Sequence, residues 1–304
     1  MTSSNNTKAL FGIFAMVFVF FVILMSFAYL TMNAFNETSL VQKKSNSARI
    51  GVVSVEGVIM SSKDTIELLQ SAEEDKQLQA IILRIDSPGG SVGPTQEIYE
   101  EIIRIDAKKP VYASFGSMAA SGGYYLGSAC RKIWANPGTL TGSIGVIMEF
   151  MDLSKLFEFA KVSPQTIKAG RYKDAGNPSR ALTQEESDMM NKLIGGVHNQ
   201  FIKDILRRRK DKIVGNIFEH AQGQIFSGEV AHSIGLVDEL GGLWTAGRAI
   251  HADLKIKDEF ALKFIEKKKK IGLFDLMNSI DESITKLDLN SLTQVSQHPR
   301  LMFK

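Results

Sequence analysis

The 304-residue sequence has a single cysteine, few histidines and no motif typical of a metal site. The single cysteine, Cys130, excludes an intramolecular disulfide, so the fold gains no covalent cross-link. The sequence contains neither HExxH nor CxxC, and no group of carboxylates has the spacing of cation ligands. We therefore expect no metal and no other cofactor. The net charge of +3 is mild, and its basic residues form no stripe interleaved with aromatics, so nothing supports nucleic-acid binding.

Histidine is absent from the first 197 residues, and the five histidines stand at positions 198, 220, 232, 251 and 298. None of them follows a strand-like segment or a glycine-rich turn, where we would expect the histidine of a Ser-His-Asp triad. His232 is the strongest candidate for that role, but its neighbours indicate a helix residue that packs near Gly235. We expect a structural role for it, and Cys130 is expected to be a buried structural thiol rather than a nucleophile.

Charge is also absent between Lys8 and Glu37, where residues 9–32 are almost continuously apolar. This run is longer than the roughly 20 residues that span a bilayer core. A cleaved signal peptide is the alternative, although its apolar region is usually about 7–15 residues long. The sequence therefore predicts a short tail over 1–8, a transmembrane anchor in contact with lipid over 9–32, and a polar linker over 33–48.

Beyond the linker, strand-like segments alternate with helical ones. Apolar, β-branched runs predict strands at 50–55, 80–85, 110–115, 132–135, 144–148 and 162–168. Helices are predicted at 65–72 with Asp64 as N-cap, at 94–106, after Ser121, and over 182–210 behind a Thr183–Glu186 capping box. This alternation predicts an α/β fold in which repeated βαβ units form a parallel sheet with covering helices.

The chain after this domain has a different composition. We place the folded domain at residues 49–254 and a basic amphipathic extension at 255–304. The extension carries Lys267–Lys270 and then an apolar stripe over 271–287 with helical spacing. Such a helix can pack on its own domain, on a partner subunit or on a membrane surface.

A run of small residues from Gly116 to Tyr125 leads from a predicted strand into a predicted helix. A turn of this kind presents Ser121 at the edge of the sheet, next to backbone N–H groups that lack partners. That arrangement suits a nucleophile in acyl chemistry, because the developing oxyanion needs donors that are already in place. The alternative is that these small residues only allow close packing of a helix against the sheet.

A second glycine-rich turn supports the catalytic interpretation. Gly89 and Gly90 follow the strand that ends at Ile85, and the N–H of Gly122 lies next to Ser121 in the sequence. Ligand sites of parallel sheets lie at the carboxyl ends of the strands, so the two turns are expected to meet. Gly122 would then offer one oxyanion donor, and the Gly89–Gly90 pair would offer the other.

Four short motifs follow one another along the chain: SPGG at 87–90, ASGGYY at 120–125, TGSIGV at 141–146 and YKD at 172–174. Together they resemble the signal peptide peptidase A (SppA) family of Clp-like serine proteases, in its short single-domain form. The resemblance extends over roughly residues 49–252 and implies a Clp/crotonase-like fold.

The resemblance also implies roles for individual residues. Ser121 would be the nucleophile, Lys173 the general base, and Ser143 the hydroxyl that holds the lysine amine. A lysine acts as a base only as the neutral amine, which burial away from water favours. Proteins of this family form rings in which a neighbouring protomer or domain supplies the lysine, so we expect a homo-oligomer with the Ser121–Lys173 dyad shared between protomers.

The function expected from these features is a membrane-anchored serine endopeptidase. It would cleave apolar peptides, such as signal peptides left in the bilayer, through an acyl-enzyme. A weaker resemblance points to the membrane proteases of stomatin operons. A crotonase-like acyl-CoA enzyme would need acidic residues at the strand ends, and a non-catalytic membrane scaffold would leave Ser121, Ser143 and Lys173 without a role.

The side of the membrane is the least constrained feature. Lys8 lies on one side of the predicted anchor, and Lys43, Lys44 and Arg49 lie on the other. These charges favour a cytoplasmic catalytic domain. The family resemblance favours the outer, periplasmic or extracellular face of a bacterial-type cell membrane, and a large domain can be translocated despite nearby charges. We expect the outer face.

Overall fold

The computed structural model describes residue 16, residues 18–27 and residues 48–266. Residues 18–27 are helical and exposed. Among the described residues, no helix is both long and apolar enough to cross a membrane. The predicted anchor at 9–32 falls largely outside the described residues. The tail, most of the linker and the predicted C-terminal helix also lie outside them.

Residues 48–265 contain eight strands and eight helices. The strands are β1 (Ile50–Glu56), β2 (Ala80–Ser87), β3 (Val111–Ala120), β4 (Ile133–Ala135), β5 (Leu140–Gly142), β6 (Ile225–Ser227), β7 (Glu239–Leu240) and β8 (Leu262–Phe264). The helices are α1 (Lys63–Glu74), α2 (Val92–Asp106), α3 (Gly122–Ser128), α4 (Ser154–Phe159), α5 (Gln184–Arg209), α6 (Ile217–His220), α7 (Gly228–Ser233) and α8 (Leu243–Asp253).

The strands form one sheet in the order β6-β5-β3-β2-β1-β8, and β4 joins it by pairing with β3 and β7. All of these pairs are parallel except β5 with β6. The predicted α/β fold with a parallel sheet and covering helices is therefore confirmed for residues 48–265, with one antiparallel pair that the sequence did not predict. Strand β3 is central, since it pairs with β2 on one edge and with β4 and then β5 on the other.

The core follows from the unbroken apolar runs of the central strands. Six of the eight residues of β2 are buried, as expected for a parallel strand that is covered on both faces. One face of the sheet packs against α2, α3 and the second half of α5. On the other face, Ile50, Val52 and Ile82 pack against Ala246 and Ile250 of α8. Burial of each large aliphatic side chain contributes about 1.5–3 kcal/mol, so this double cover fixes the positions of the strand ends.

Both ends of the long helix α5 are fixed by polar contacts. At its start, the predicted capping box is confirmed: the Thr183 side chain accepts from the N–H of Glu186, and the Glu186 carboxylate accepts from the N–H of Thr183. Hydrogen bonds from Arg180 and from the Thr183 N–H lower the pKa of Glu186 to about 2. At its end, the fully buried Arg209 donates to Asp238 at 2.9 Å. These contacts hold α5 in place beside the end of the sheet.

Two predicted strands, at 144–148 and 162–168, are absent, and both segments are irregular. Both edges of β5 are already occupied, by β3 and by β6, so the residues that follow it have no strand to pair with. The predicted start of α1 is also wrong by two residues, since the helix begins at Lys63 with Ser62 as its N-cap. The short strands β6, β7 and β8 were not predicted, because each has only two or three residues and depends on distant pairing partners.

Candidate active site

Ser121 stands between the end of β3 and the start of α3 with an unusual backbone conformation. Its φ is 52° and its ψ is −118°, a region that L-residues other than glycine seldom adopt. The Ser121 N–H donates to the carbonyl of Gly142 at 2.9 Å, and the Ser121 carbonyl accepts from the N–H of Tyr125 at 2.9 Å. A strained serine in a sharp strand-to-helix turn, held from both sides, is the geometry of an exposed nucleophile.

Ser143 is brought next to Ser121 by strand pairing. Ala120 of β3 pairs with Gly142 of β5, so the serine that follows each strand emerges at the same level. Ser143 also has a positive φ, 50°, and its N–H donates to the carbonyl of Gln224 at 2.6 Å. Both serine side chains line the same cavity, which brings together two hydroxyl groups that are 22 positions apart in the sequence.

The two glycine-rich turns meet beside Ser121. A Cβ atom added to Gly122 would lie 3.3 Å from the backbone nitrogen of Gly90. Gly90 is held there because the N–H of Ile59 donates to the carbonyl of Gly89 at 2.9 Å, and the N–H of Ser91 donates to the carbonyl of Ile59 at 2.8 Å. The sequence placed both glycine turns at the carboxyl ends of neighbouring strands, and the structure puts them in contact.

The two members of the Gly89–Gly90 pair differ in their hydrogen bonds. The N–H of Gly89 donates to the Ser87 hydroxyl at 3.1 Å, and its φ of 102° is one that favours glycine. The N–H of Gly90 has no acceptor within residues 48–266. The N–H of Gly122 belongs to the first turn of α3, where N–H groups have no partner inside the helix. Gly90 and Gly122, rather than Gly89, therefore present free donors.

These residues open onto a cavity of about 630 Å³. Its walls come from the turn after β2, the start of α2, the turn after β5, the turn at 222–223 and the middle of α5. Within the described part of the chain, no Asp, Glu, Lys or Arg side chain lines this cavity. The cavity is thus suited to an uncharged ligand and provides a weakly screened environment around Ser121.

One part of the cavity wall is aromatic. The ring centroids of Tyr125 and Phe201 lie 4.8 Å apart, and those of Tyr125 and Tyr99 also lie 4.8 Å apart. The Tyr125 hydroxyl donates to the carboxylate of Asp204. Burial, followed by this hydrogen bond and the charge of Asp204, raises the pKa of Tyr125, so the phenol stays neutral. Tyr125 therefore gives this wall a rigid, uncharged surface.

Lys173 does not lie in this cavity. It is exposed, in the irregular segment between β5 and α5, and it follows no strand, contrary to the sequence-based placement at a strand end. Its neighbour Asp174 pairs instead with Lys168 and with Arg180, and hydrogen bonds from these two cations lower the pKa of Asp174. Among the described residues, the amine of Lys173 has no ion-pair partner.

The structure also shows where the alternative nucleophile, Cys130, and the histidines that could act as bases lie. Cys130 is buried, and burial raises the pKa of its thiol. His232 is exposed on α7, away from the cavity. The histidine that does line the cavity is His198, which the sequence did not single out because it belongs to a helix rather than a strand end. Within the described residues, no three His, Cys, Asp or Glu side chains are grouped so that they could hold a metal ion.

Known proteins are similar to most of this domain. A family model described as Peptidase family S49 matches residues 103–257, and one described as Clp protease matches residues 39–135. The slr0021 protein of Synechocystis sp., provisionally named a protease, is 41% identical over 201 residues, which cover 66% of this chain and 72% of that protein.

Two further relatives carry more specific names. The chloroplastic serine protease SPPA of Arabidopsis thaliana is 34% identical over 240 residues, which cover 78% of this chain. The chain spans only 35% of the length of that protein. A protein of Enterococcus faecium, provisionally named signal peptide peptidase SppA, is 29% identical over 246 residues, covering 76% of this chain and 71% of its own length. The chain therefore belongs to peptidase family S49, with SppA proteins among its relatives, and is a serine peptidase.

Proposed function

We propose that the protein is an endopeptidase in which Ser121 is the nucleophile and Lys173 of a neighbouring copy is the general base. The observation that carries the proposal is the position of Ser121, strained and held beside the free N–H groups of Gly90 and Gly122 in an uncharged cavity. This set of groups supports acyl transfer, because a nucleophile and two oxyanion donors converge on one point.

The proposed reaction proceeds in two halves. The neutral amine of Lys173 takes the proton of the Ser121 hydroxyl while the oxygen attacks the carbonyl carbon of the peptide. The N–H groups of Gly90 and Gly122 stabilise the resulting oxyanion. As the intermediate collapses, the lysine gives its proton to the leaving amine and an ester on Ser121 remains. Water then attacks this ester, with the lysine again accepting and returning a proton. Ser143 would orient the amine.

Supply of the lysine by another copy is supported by the segment that carries it. We call residues 145–183 the arm. The arm includes several exposed apolar side chains, among them Ile147, Phe159 and Ile167. An apolar surface of this kind is typical of a protein interface. Because Lys173 lies outside the cavity of its own chain, a homo-oligomer would bring it to Ser121 of the next protomer and exclude water from the amine.

The proposed substrates are uncharged, mainly apolar peptides. No charged side chain of the described residues lines the cavity, so a charged substrate residue would find no partner there. Signal peptide remnants fit this requirement, and one relative is provisionally named for them. The apolar run at 9–32 would anchor the catalytic domain at the outer face of the membrane, next to such peptides. A crotonase-like reaction has less support, since it would need carboxylates in the cavity.

The proposal is tested by replacing the two dyad residues. Ser121→Ala and Lys173→Ala should each lower peptide cleavage by at least about a thousandfold, because nucleophile and base act as a unit. A fluorophosphonate should label the wild-type protein on Ser121, and it should not label Ser121→Ala. Lys155→Ala is the matched control, since Lys155 is an exposed lysine of the same arm, and its activity should equal that of the wild type.

Near-wild-type cleavage by Lys173→Ala would contradict the dyad, and near-wild-type cleavage by Ser121→Ala would contradict the nucleophile. The same assays on the full chain and on residues 49–304 test the anchor. The full chain should partition into detergent or membranes, whereas the shortened chain should stay in the aqueous phase and still cleave short peptides. Aqueous partition of the full chain would contradict the anchor.

A further inference from the structure

The middle of α5 forms one wall of the cavity beside Ser121. The residues of α5 that line it recur at helical spacing, so they share one face of the helix: Asn191, Ile194, Gly195, Val197, His198 and Phe201. Further along the helix, the same face continues into the core with Ile202 and Ile205, both buried. The same face of α5 therefore packs in the core near the C-terminal end of the helix and lines the cavity along the middle of the helix.

Gly195 makes room in this wall. Apart from its own helix, no described residue has an atom within 4 Å of a Cβ atom added to Gly195, so the described chain leaves the space in front of the helix open there. Glycine in the middle of a helix is unfavourable relative to alanine, and the next residue, Gly196, is a second one. Packing among the described residues does not require either glycine. The open space lies one turn from His198 and on the same face.

His198 is a polar residue in an otherwise mostly apolar stripe. Its Nε2 is buried and has no hydrogen-bond partner among the described residues. The other ring nitrogen, Nδ1, also has no partner there, but it is not enclosed. Burial of an imidazole edge without a partner is unfavourable, and no hydrogen bond within the described chain offsets it. A histidine that served only to hold the fold would be expected to bond to a neighbour, as His251 does to the carbonyl of Asp258 at 2.9 Å.

From this wall we infer that His198 is a specificity-determining residue. Its Nδ1, the ring nitrogen that is not enclosed, hydrogen-bonds an uncharged polar side chain of the substrate peptide. The inference rests on the proposed function, because it assigns one subsite of the same cavity. The peptide would be apolar overall and would carry one Ser, Thr, Asn or Gln residue that fills the space at Gly195. A charged residue is disfavoured, since neither a cation nor an anion would meet an opposite charge among the lining side chains of the described residues.

Pairs of peptides that differ only by Val or Thr at one position provide the test, because the two side chains have the same shape. The ratio of kcat/KM for the Thr and Val peptides is measured at each position along an apolar sequence. In the wild-type protein, one position should favour Thr by about three- to tenfold, the range that one hydrogen bond to an uncharged group gives.

In His198→Phe this ratio should fall to about one at that position and stay unchanged at the others. In His198→Gln, which keeps a hydrogen-bonding group, part of the preference should remain. His232→Phe replaces an exposed histidine on α7 and should keep the wild-type ratio. Damage to the fold would lower both members of each pair together and would leave the ratio unchanged, so the ratio separates recognition from stability.

A wild-type protein that prefers Thr at no position, or a His198→Phe variant that retains the preference, overturns the inference. Either result leaves the proposed peptidase intact, because cleavage itself is still observed. If the wild-type protein cleaves none of the peptides and the fluorophosphonate does not label Ser121, the proposed function fails first.

Discussion

The central sheet and the arm place the same types of residue in opposite environments. Ile81 and Ile82 of β2 are completely buried, whereas Ile147 and Ile167 of the arm are 83% and 102% exposed. The sheet carries Ser121 and the glycine turns at its ordered strand ends. The arm, residues 145–183, carries Lys173 and has only the short helix α4 as regular structure.

This contrast shows which parts of the proposed active site are in place within one chain and which are not. Ser121, the proposed nucleophile, and Gly90 and Gly122, the proposed oxyanion donors, are held by packing and strand pairing within the chain. The arm exposes apolar side chains that the described chain does not cover, and its lysine lies outside the cavity. A surface that is apolar and unburied in one copy gains free energy by meeting another copy. The two residues of the proposed dyad thus lie in different regions: Ser121 in a region that is packed within its own chain, and Lys173 in a region whose apolar surface is exposed.

The largest effect is expected from mixing two inactive variants, which tests whether the regions act across copies. Ser121→Ala retains the lysine, and Lys173→Ala retains the serine. If neighbouring copies share each site, random exchange in an equal mixture restores about a quarter of the wild-type activity, since half of the serines meet half of the lysines. The measurement is peptide cleavage before and after subunit exchange, with exchange followed by a fluorescent label.

Each variant incubated alone under the same conditions should stay inactive. If exchange is proven and no activity returns, the serine and the lysine of each site belong to the same chain. The sheet and the arm would then not act across copies.

A smaller effect on activity is expected from changing only the turn after β2, which carries Gly90. In Gly90→Ala, the added Cβ would lie 2.2 Å from the carbonyl oxygen of Ile59, so the turn must shift and move the Gly90 N–H. Loss of one oxyanion donor lowers kcat by about a hundred- to a thousandfold. The measurement is kcat on a short peptide, together with Tm to show that the domain is folded.

Gly138→Ala is the control, because no described residue beyond its two chain neighbours has an atom within 4 Å of a Cβ atom added there. It should leave kcat unchanged. If a folded Gly90→Ala protein keeps its full kcat, Gly90 is not a donor to the oxyanion.

The smallest change in activity is expected from truncating one isoleucine in each region. Ile82→Ala removes a fully buried side chain and should lower the free energy of unfolding by about 2–5 kcal/mol. Ile167→Ala should change it by less than about 0.5 kcal/mol in the isolated chain. Urea unfolding measures both values, and sedimentation measures whether Ile167→Ala weakens association. Equal destabilisation by the two variants would show that the arm is packed within its own chain.

The sequence was sufficient for the central sheet because its signals are local. Unbroken apolar runs predicted β1, β2 and β3, and the turns after β2 and β3 carried the glycines and Ser121. The segment 144–148 has the composition of a strand but is irregular, because pairing depends on a free neighbouring edge that local sequence does not encode. The predicted strand at 162–168 is also absent, so Lys173 does not follow a strand end.

The position of His198 illustrates what sequence reasoning could not reach. Its place on the cavity beside Ser121 depends on how α5 crosses the end of the sheet, and the Thr183 cap and the Arg209–Asp238 pair fix that geometry from outside the local segment. A usable signal did exist in the sequence. Gly195 and Gly196 interrupt a predicted helix with two residues that disfavour it, and the histidine follows two positions later.

The distance of Lys173 from its own cavity has a consequence for the life of the protein, if neighbouring copies complete each site. A newly made chain would then be folded but inactive, because Ser121 would have no general base. It would not cleave cellular proteins until it associated with another copy. The enzyme would need no propeptide and no inhibitor to delay its action. The onset of activity would then depend on the concentration of the protein, since assembly requires copies to meet.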